Sequence, residues 1–188
     1  MTDMTREVAL AMQQRFIAFD VEATGLDTHT DRIIEIGAVL FEKGAAVRTF
    51  GTLVNAHVDI PARITELTGI TSDMLAAAPP EAEVYPALLD FLGDAASGQT
   101  FLCAHHARFD LDILRHNLVR LGHDADIRYV DTLPLSWKYL AKAPNHKQPT
   151  LAEYLHIDVG QAHRAADDAR VCGQIFLHML PMILEDHR

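Results

Sequence analysis

Cysteine is nearly missing from this chain: Cys103 and Cys172 are the only two in 188 residues, and neither belongs to a Cys-x-x-Cys pair. A disulfide scaffold and a cysteine-rich zinc site are therefore excluded. Positive charge is also scarce. Sixteen Lys and Arg stand against 26 Asp and Glu, a formal net charge of −10, so the chain repels a polyanion at long range and does not coat duplexes. An enzyme that grips a short stretch of nucleic acid through divalent cations stays open, because their charge reverses the local sign. No apolar run approaches the roughly 20 residues that span a bilayer. The N-terminus, MTDMTREVALAMQQRF, carries Asp3 and Glu7 where a secretory signal needs a continuous apolar core. The expectation is a cytoplasmic protein that does not engage a membrane. With 49% apolar and 22% charged residues the composition is that of an ordered globular protein. No internal repeat, low-complexity segment or linker divides it, so one domain is expected over residues 1–188, with 1–14 an extension ahead of a core at about 15–184.

What the chain does have is an ordered series of short apolar runs and turn signals. Residues 15–21 (RFIAFDV), 32–41 (RIIEIGAVLF) and 47–54 (VRTFGTLV) read as strands, and the short link between the last two predicts an antiparallel hairpin. Pro61 opens a short helix that stops at Gly69, where a residue without Cβ can take the left-handed cap, and Thr71 starts another. Residues 80–92 form a helix with Val84, Leu88 and Leu92 on one side and Pro86 in its first two turns. A strand at 99–104 (QTFLCA), a helix at about 107–121, a strand at 127–130 and a helix capped by Asp131-Thr132 follow; 144–149 reads as a loop. The last helix starts near Arg164, with Ala165, Ala169, Cys172, Phe176, Met179 and Ile183 alternately four and three apart, which is a core face. A three-stranded meander followed by alternating helix and strand makes an α/β sheet of mixed direction.

Four carboxylates and one histidine carry the candidate chemistry. Asp20 and Glu22 are two apart at the end of the first strand, so both side chains fall on one face with Val21 on the other. Two such carboxylates raise each other's pKa unless a cation sits between them; a lone Asp-x-Glu is more often a solvated strand end. Asp110 falls in the first turn of its helix, where the dipole and free N–H groups favour an acid in any case. Asp168, one turn before Cys172, lies on or beside the buried stripe, where a charge needs a partner. Asp167, about 100° around the helix, points to solvent. His163 belongs to the loop before that helix, either as a surface residue or as an imidazole that takes a proton from water near neutral pH. Each residue alone is weak, whereas the ordered combination is specific.

Together these residues resemble the DEDDh exonucleases, a DnaQ-like group containing the proofreading subunits of bacterial replicative polymerases. Residues 16–26 (FIAFDVEATGL) are similar to the first motif, 104–110 (AHHARFD) to the second and 163–168 (HRAADD) to the third. Residues 31–37 (DRIIEIG), 64–71 (ITELTGIT), Asp131-Thr132 and 150–155 (TLAEYL) are also alike, so the likeness runs from about 15 to 180. Ala23 departs from the Thr of many members, and His106 stands where the second motif usually has Asn, a position tied to orienting the terminal nucleotide. The resemblance implies a ribonuclease H-like fold, with a mixed five-stranded sheet flanked by helices, and release of nucleoside monophosphates from a 3′ end with two Mg²⁺ or Mn²⁺ ions. It implies that Asp20, Glu22 and Asp168 hold metal, that Asp110 supports the second ion and that His163 is the general base. It places Thr24, Gly25 and Leu26 under the terminal nucleotide. Leu67, Thr68 and Phe109 are candidates for the opposite wall, with core packing the simpler reading of Leu67 and Phe109.

The implied activity is a metal-dependent 3′→5′ exonuclease on single-stranded or frayed ends. DNA is favoured over RNA because DRIIEIGAV and ELTGIT are most similar to the polymerase-linked branch. The alternative is an RNA 3′-end trimmer or oligoribonuclease, since the choice turns on room for one 2′-OH. A non-catalytic nucleic-acid-binding module ranks lower because all five matched residues are present, and a zinc hydrolase lacks its His-Glu-x-x-His spacing. The chain ends at Arg188 without a long tail to tether a polymerase partner, so a free-standing exonuclease or an excised domain is expected.

Overall fold

The computed structural model describes residues 1–160 and 164–187. Strands β1 (Arg15–Ala23), β2 (Ile33–Glu42) and β3 (Ala45–Leu53) form the antiparallel meander, and β4 (Leu102–Ala104) and β5 (Tyr129–Asp131) extend it in parallel beyond β1, in the order β3-β2-β1-β4-β5. The mixed five-stranded α/β sheet expected from the pattern is present. The period of two along β1 sorts the core into two layers. Ile17, Phe19 and Val21 pack with α4 (Glu81–Leu92) and α5 (Ala107–Arg120), while Phe16 and Ala18 pack with α1 (Arg6–Gln14) and α8 (Ala165–Asp186). The smaller helices α2 (Ala62–Thr68), α3 (Ser72–Ala76), α6 (Thr132–Tyr139) and α7 (Gln148–Tyr154) complete the chain. Among the described residues no helix is long and apolar enough to cross a membrane.

Three segments differ from the sequence reading. Residues 6–14, assigned to an extension, form a helix that Thr5 caps by accepting the Val8 N–H, and Val8, Ala9 and Met12 are buried against α8. β4 is half the expected length. Gly98 turns in the left-handed region and Gln99 donates its N–H to the Asp94 carbonyl, so parallel pairing begins only at Leu102. The loop at 144–149 ends early because α7 starts at Gln148, with Pro149 in its first turn, where a missing N–H costs nothing.

The long helix α8 lies directly on β2. A Cβ on Gly37 would stand 2.0 Å from the carbonyl carbon and oxygen of Ala165, and a Cβ on Gly173 would stand 2.3 Å from the Phe41 ring. Neither is a turn glycine. Each removes a side chain where helix and strand meet, and Gly37 pairs with Asp20 across the β1–β2 ladder. The first turn of α8 is thereby seated beside the carboxylates of β1.

Candidate active site

Asp20 and Glu22 leave β1 on the α8 face, and Gly37 opposite Asp20 leaves the space that the first turn of α8 fills. Asp168 sits on that turn. One carboxylate oxygen from each of Asp20, Glu22 and Asp168 lies within 4.8 Å of the others. Asp110, 5% exposed, comes from the first turn of α5 and accepts the Val21 N–H. The four carboxylates that the sequence singled out are therefore brought together from three elements. Asp167 is half-buried and pairs with Arg170 at 3.5 Å, so it is not the freely solvated residue expected. His163 lies outside the described residues.

Electrostatics in this cluster are adverse without a cation. Burial, then Asp110, Asp168 and Glu22, pushes Asp20 well above the usual carboxylate range. Burial likewise raises Asp110 against the bonds from Val21 and its own backbone. Burial, then Asp168 and Glu35, pushes Glu22 up to about 7. In metal-free protein these folded-state values exceed the unfolded ones, so the folded state binds more protons and the stability they contribute is lost as pH rises. For Glu22 that contribution is full below its unfolded value, about 4.3, and fades as pH rises through about 7. The expected result is a melting temperature in EDTA that falls between pH 5.5 and pH 8, with the fall reversed by Mn²⁺. A melting temperature that climbs over the same interval would show that the carboxylates are not crowded as described.

Glu35 is a residue the sequence reading passed over. It is 3% exposed and directly opposite Glu22 in the ladder, a like-charge pair that by itself destabilises a sheet. Arg164 compensates: its Nε and Nη2 donate to Glu35 Oε1 at 2.9 and 2.8 Å, and the Ala165 N–H donates to Oε2 at 3.3 Å. Glu35 thus fastens the start of α8 to β2. The available signal was a charged residue inside the otherwise apolar run RIIEIGAVLF. From the other side, Gln148 Nε2 donates to the Asp168 carbonyl at 3.0 Å and lies 3.4 Å from its Oδ1.

The loop after β1 is organised by Asp31. Its Oδ1 accepts the Thr24 hydroxyl at 2.7 Å and its Oδ2 accepts the Asp27 N–H at 2.9 Å, close enough that a Cβ on Gly25 would stand 2.4 Å from Oδ2. Thr24 is buried and gives its backbone N–H to the Arg32 carbonyl, so it serves the loop. Leu26, at the tip, is 83% exposed. Leu67 is 57% exposed, which removes the core-packing explanation for it. Thr68 is buried, donating to the Ile64 carbonyl and accepting the Ile70 N–H, and Phe109 packs against the core with part of its surface open. His106 takes φ 68°, the left-handed region, and donates its N–H to Asp131 Oδ1 at 3.0 Å. Asn and His are among the side chains enriched in that region, so the His in place of the usual Asn keeps the backbone turn.

A family described as "Exonuclease" matches residues 17–176. The chain belongs to this exonuclease family. It is 37% identical over 182 residues to the PolC-type DNA polymerase III of Caldanaerobacter subterraneus subsp. tengcongensis, covering 97% of this chain and 13% of that protein. The chain thus spans about an eighth of the length of that curated relative. Among solved structures, E. coli Exonuclease I in complex with a dA16 oligonucleotide superposes with a TM-score of 0.75 at 18% identity, covering 92% of this chain and 42% of that one. The nuclease domain of 3′hExo, a DEDDh family member bound to rAMP, gives 0.74 at 20% identity over 90% and 92%. The family is that of the DnaQ-like, DEDDh 3′→5′ exonucleases, and the chain resembles the part of the PolC-type polymerase that it matches.

Proposed function

We propose that this chain, as one domain, is a divalent-metal-dependent 3′→5′ exonuclease that releases nucleoside monophosphates from single-stranded or frayed DNA ends. The observation that carries the reading is the convergence of Asp20, Glu22 and Asp168 within 4.8 Å, with Asp110 buried beside them. The donor set fits the ions: every candidate ligand is a hard carboxylate oxygen, as Mg²⁺ and Mn²⁺ prefer, and the crowding that raises Asp20 and Glu22 is relieved by positive charge. In this reading Asp20, Glu22 and Asp168 hold the ions and Asp110 supports the second. When bound there, such ions would supply the positive charge that stabilises the attacking and leaving oxygens of an in-line displacement. His163 takes the proton of the attacking water. Gly25 and Leu26 lie under the terminal nucleotide on the loop braced by Thr24, and Leu67, Thr68 and Phe109 form the facing wall. Exonuclease I bound to dA16 supports a single-stranded DNA substrate, and the PolC relatives support a polymerase context.

The test is digestion of matched 5′-labelled DNA and RNA oligomers with Mg²⁺ or Mn²⁺, resolving product length. Expected are a ladder shortening one nucleotide at a time from the 3′ end, mononucleotide product, a faster rate on DNA and no reaction in excess EDTA. Activity that survives the chelator removes the metal mechanism. Equal rates on DNA and RNA transfer the reading to RNA 3′-end trimming.

A further inference from the structure

Lysine is distributed unevenly in this acidic chain. Of its four lysines, three (Lys138, Lys142 and Lys147) fall in residues 132–152, a stretch of 21 residues with no Asp or Glu. Lys138 is turned back onto α8 by Asp186, while Lys142 and Lys147 are exposed. The same stretch holds Trp137, the single tryptophan of the chain, which is 58% exposed on α6. An exposed indole in an acid-free, lysine-bearing segment is unusual on a protein of net charge −10.

This patch is joined to the carboxylates. Leu133, His106, Lys147 and Gln148 line one groove. At its inner end Gln148 reaches Asp168, and His106 begins the helix that carries Asp110. At its outer end Trp137 lies one turn beyond Leu133 on the same helix side and meets the His146 ring edge-on, with centroids 6.4 Å apart. The wall is held in place: His146 Nδ1 is 3.0 Å from the Ser136 hydroxyl, and the His146 carbonyl accepts from His105 Nε2 at 2.8 Å. Burial lowers the pKa of His105, consistent with a neutral ring whose one N–H faces that carbonyl.

We infer that this groove is a binding track for the substrate strand upstream of its 3′ end, with a phosphate on Lys147 and a base stacked on Trp137. The inference rests on the exonuclease reading above and deepens it, since the ions that the carboxylates would hold then engage only the terminal phosphodiester. A cationic groove combined with an aromatic platform is the general means of holding a single strand without reading its sequence. The acid-free lysine segment reaches the carboxylate cluster through Gln148, which favours a strand running to that cluster over a protein partner.

Because Trp137 is the only tryptophan, its fluorescence reports this site alone. Phosphorothioate oligothymidylate dT10, added with Mn²⁺ to the full chain, is expected to quench it saturably, and thymidine 5′-monophosphate is not. Trp137→Ala is expected to raise KM for dT10 about tenfold or more, as loss of one stacked base does, with kcat unchanged, and Trp137→Phe to recover most of the loss. Lys147→Glu is expected to raise KM and to flatten the salt dependence by about 0.7 in log–log slope, one released counterion on a single strand. Hydrolysis of the p-nitrophenyl ester of thymidine 5′-monophosphate, too short to reach the groove, is expected to stay at the wild-type rate in all three variants. Absent quenching, or an unchanged KM for dT10 while the ester is hydrolysed normally, overturns the track and leaves the patch to a protein partner. A wild-type chain that cleaves neither the ester nor the oligomer with metal present overturns the exonuclease reading, and the track with it.

Discussion

Asp20→Asn is expected to remove exonuclease activity, by on the order of 10⁴-fold or about 5.5 kcal/mol of barrier, while the protein stays folded. Asn matches Asp in size but brings no charge, so the cluster of Asp20, Glu22 and Asp168 loses one of the three carboxylates proposed to hold the ions. The same change is expected to raise the melting temperature of the metal-free protein at pH 8. Asp20 is penalised there by burial and by Asp110, Asp168 and Glu22, and a neutral amide escapes all of these. The sign can be checked with pH. Below its raised pKa the wild-type Asp20 is itself neutral, so the two proteins should converge in stability as pH falls and separate as pH rises. Thermal melts in EDTA at pH 5 and pH 8, together with turnover on a labelled oligomer, measure both effects. Near-normal turnover, or a variant less stable than wild type at pH 8, would assign the metal-binding role to other residues.

His163→Ala is expected to cost about 10²–10⁴-fold in turnover, the range for a positioned general base. The active form of such a base is the neutral imidazole, so wild-type turnover should rise with pH through the ordinary histidine range, near about 6.5, and the variant should lose that rise. Mn²⁺ affinity, read by titration calorimetry, should match wild type because Asp20, Glu22, Asp110 and Asp168 all remain. Stability should change by no more than about 0.5 kcal/mol, as for a substitution away from the core. The next residue in the chain, Arg164, is held by Glu35. Mn²⁺ affinity that falls in step with the rate would make His163 a ligand, and unchanged turnover would make it a surface histidine.

Much of the architecture was legible because its causes are local. The alternation along residues 15–23 put Asp20 and Glu22 on one face, Gly69 took the left-handed cap that ends α2, Thr71 and Asp131 capped their helices, and the four-and-three spacing of the last helix gave its buried stripe. These are effects of two to four residues, and the chain carries them wherever it goes. The motifs added an order along the sequence but no distances. Helix α1 was missed because its apolar face, Val8, Ala9 and Met12, is narrow and acquires its meaning only against α8. Leu67 read as core from its type and proved exposed, since helical spacing does not say which side the body of the protein is on.

By itself, then, the sequence determined the order of the five strands and named the carboxylates to look for. Only the tertiary structure decided that Glu35 faces Glu22 and is neutralised by Arg164, 129 residues away. The tertiary structure also decided that Gly37 is absent as a side chain because the Ala165 backbone occupies its place, and that the lysine-bearing α6–α7 segment opens onto Asp168 through Gln148. Each depends on strand register and on how closely a helix approaches a sheet. Those are settled by packing both faces of the sheet at once, and no local window of the chain contains them.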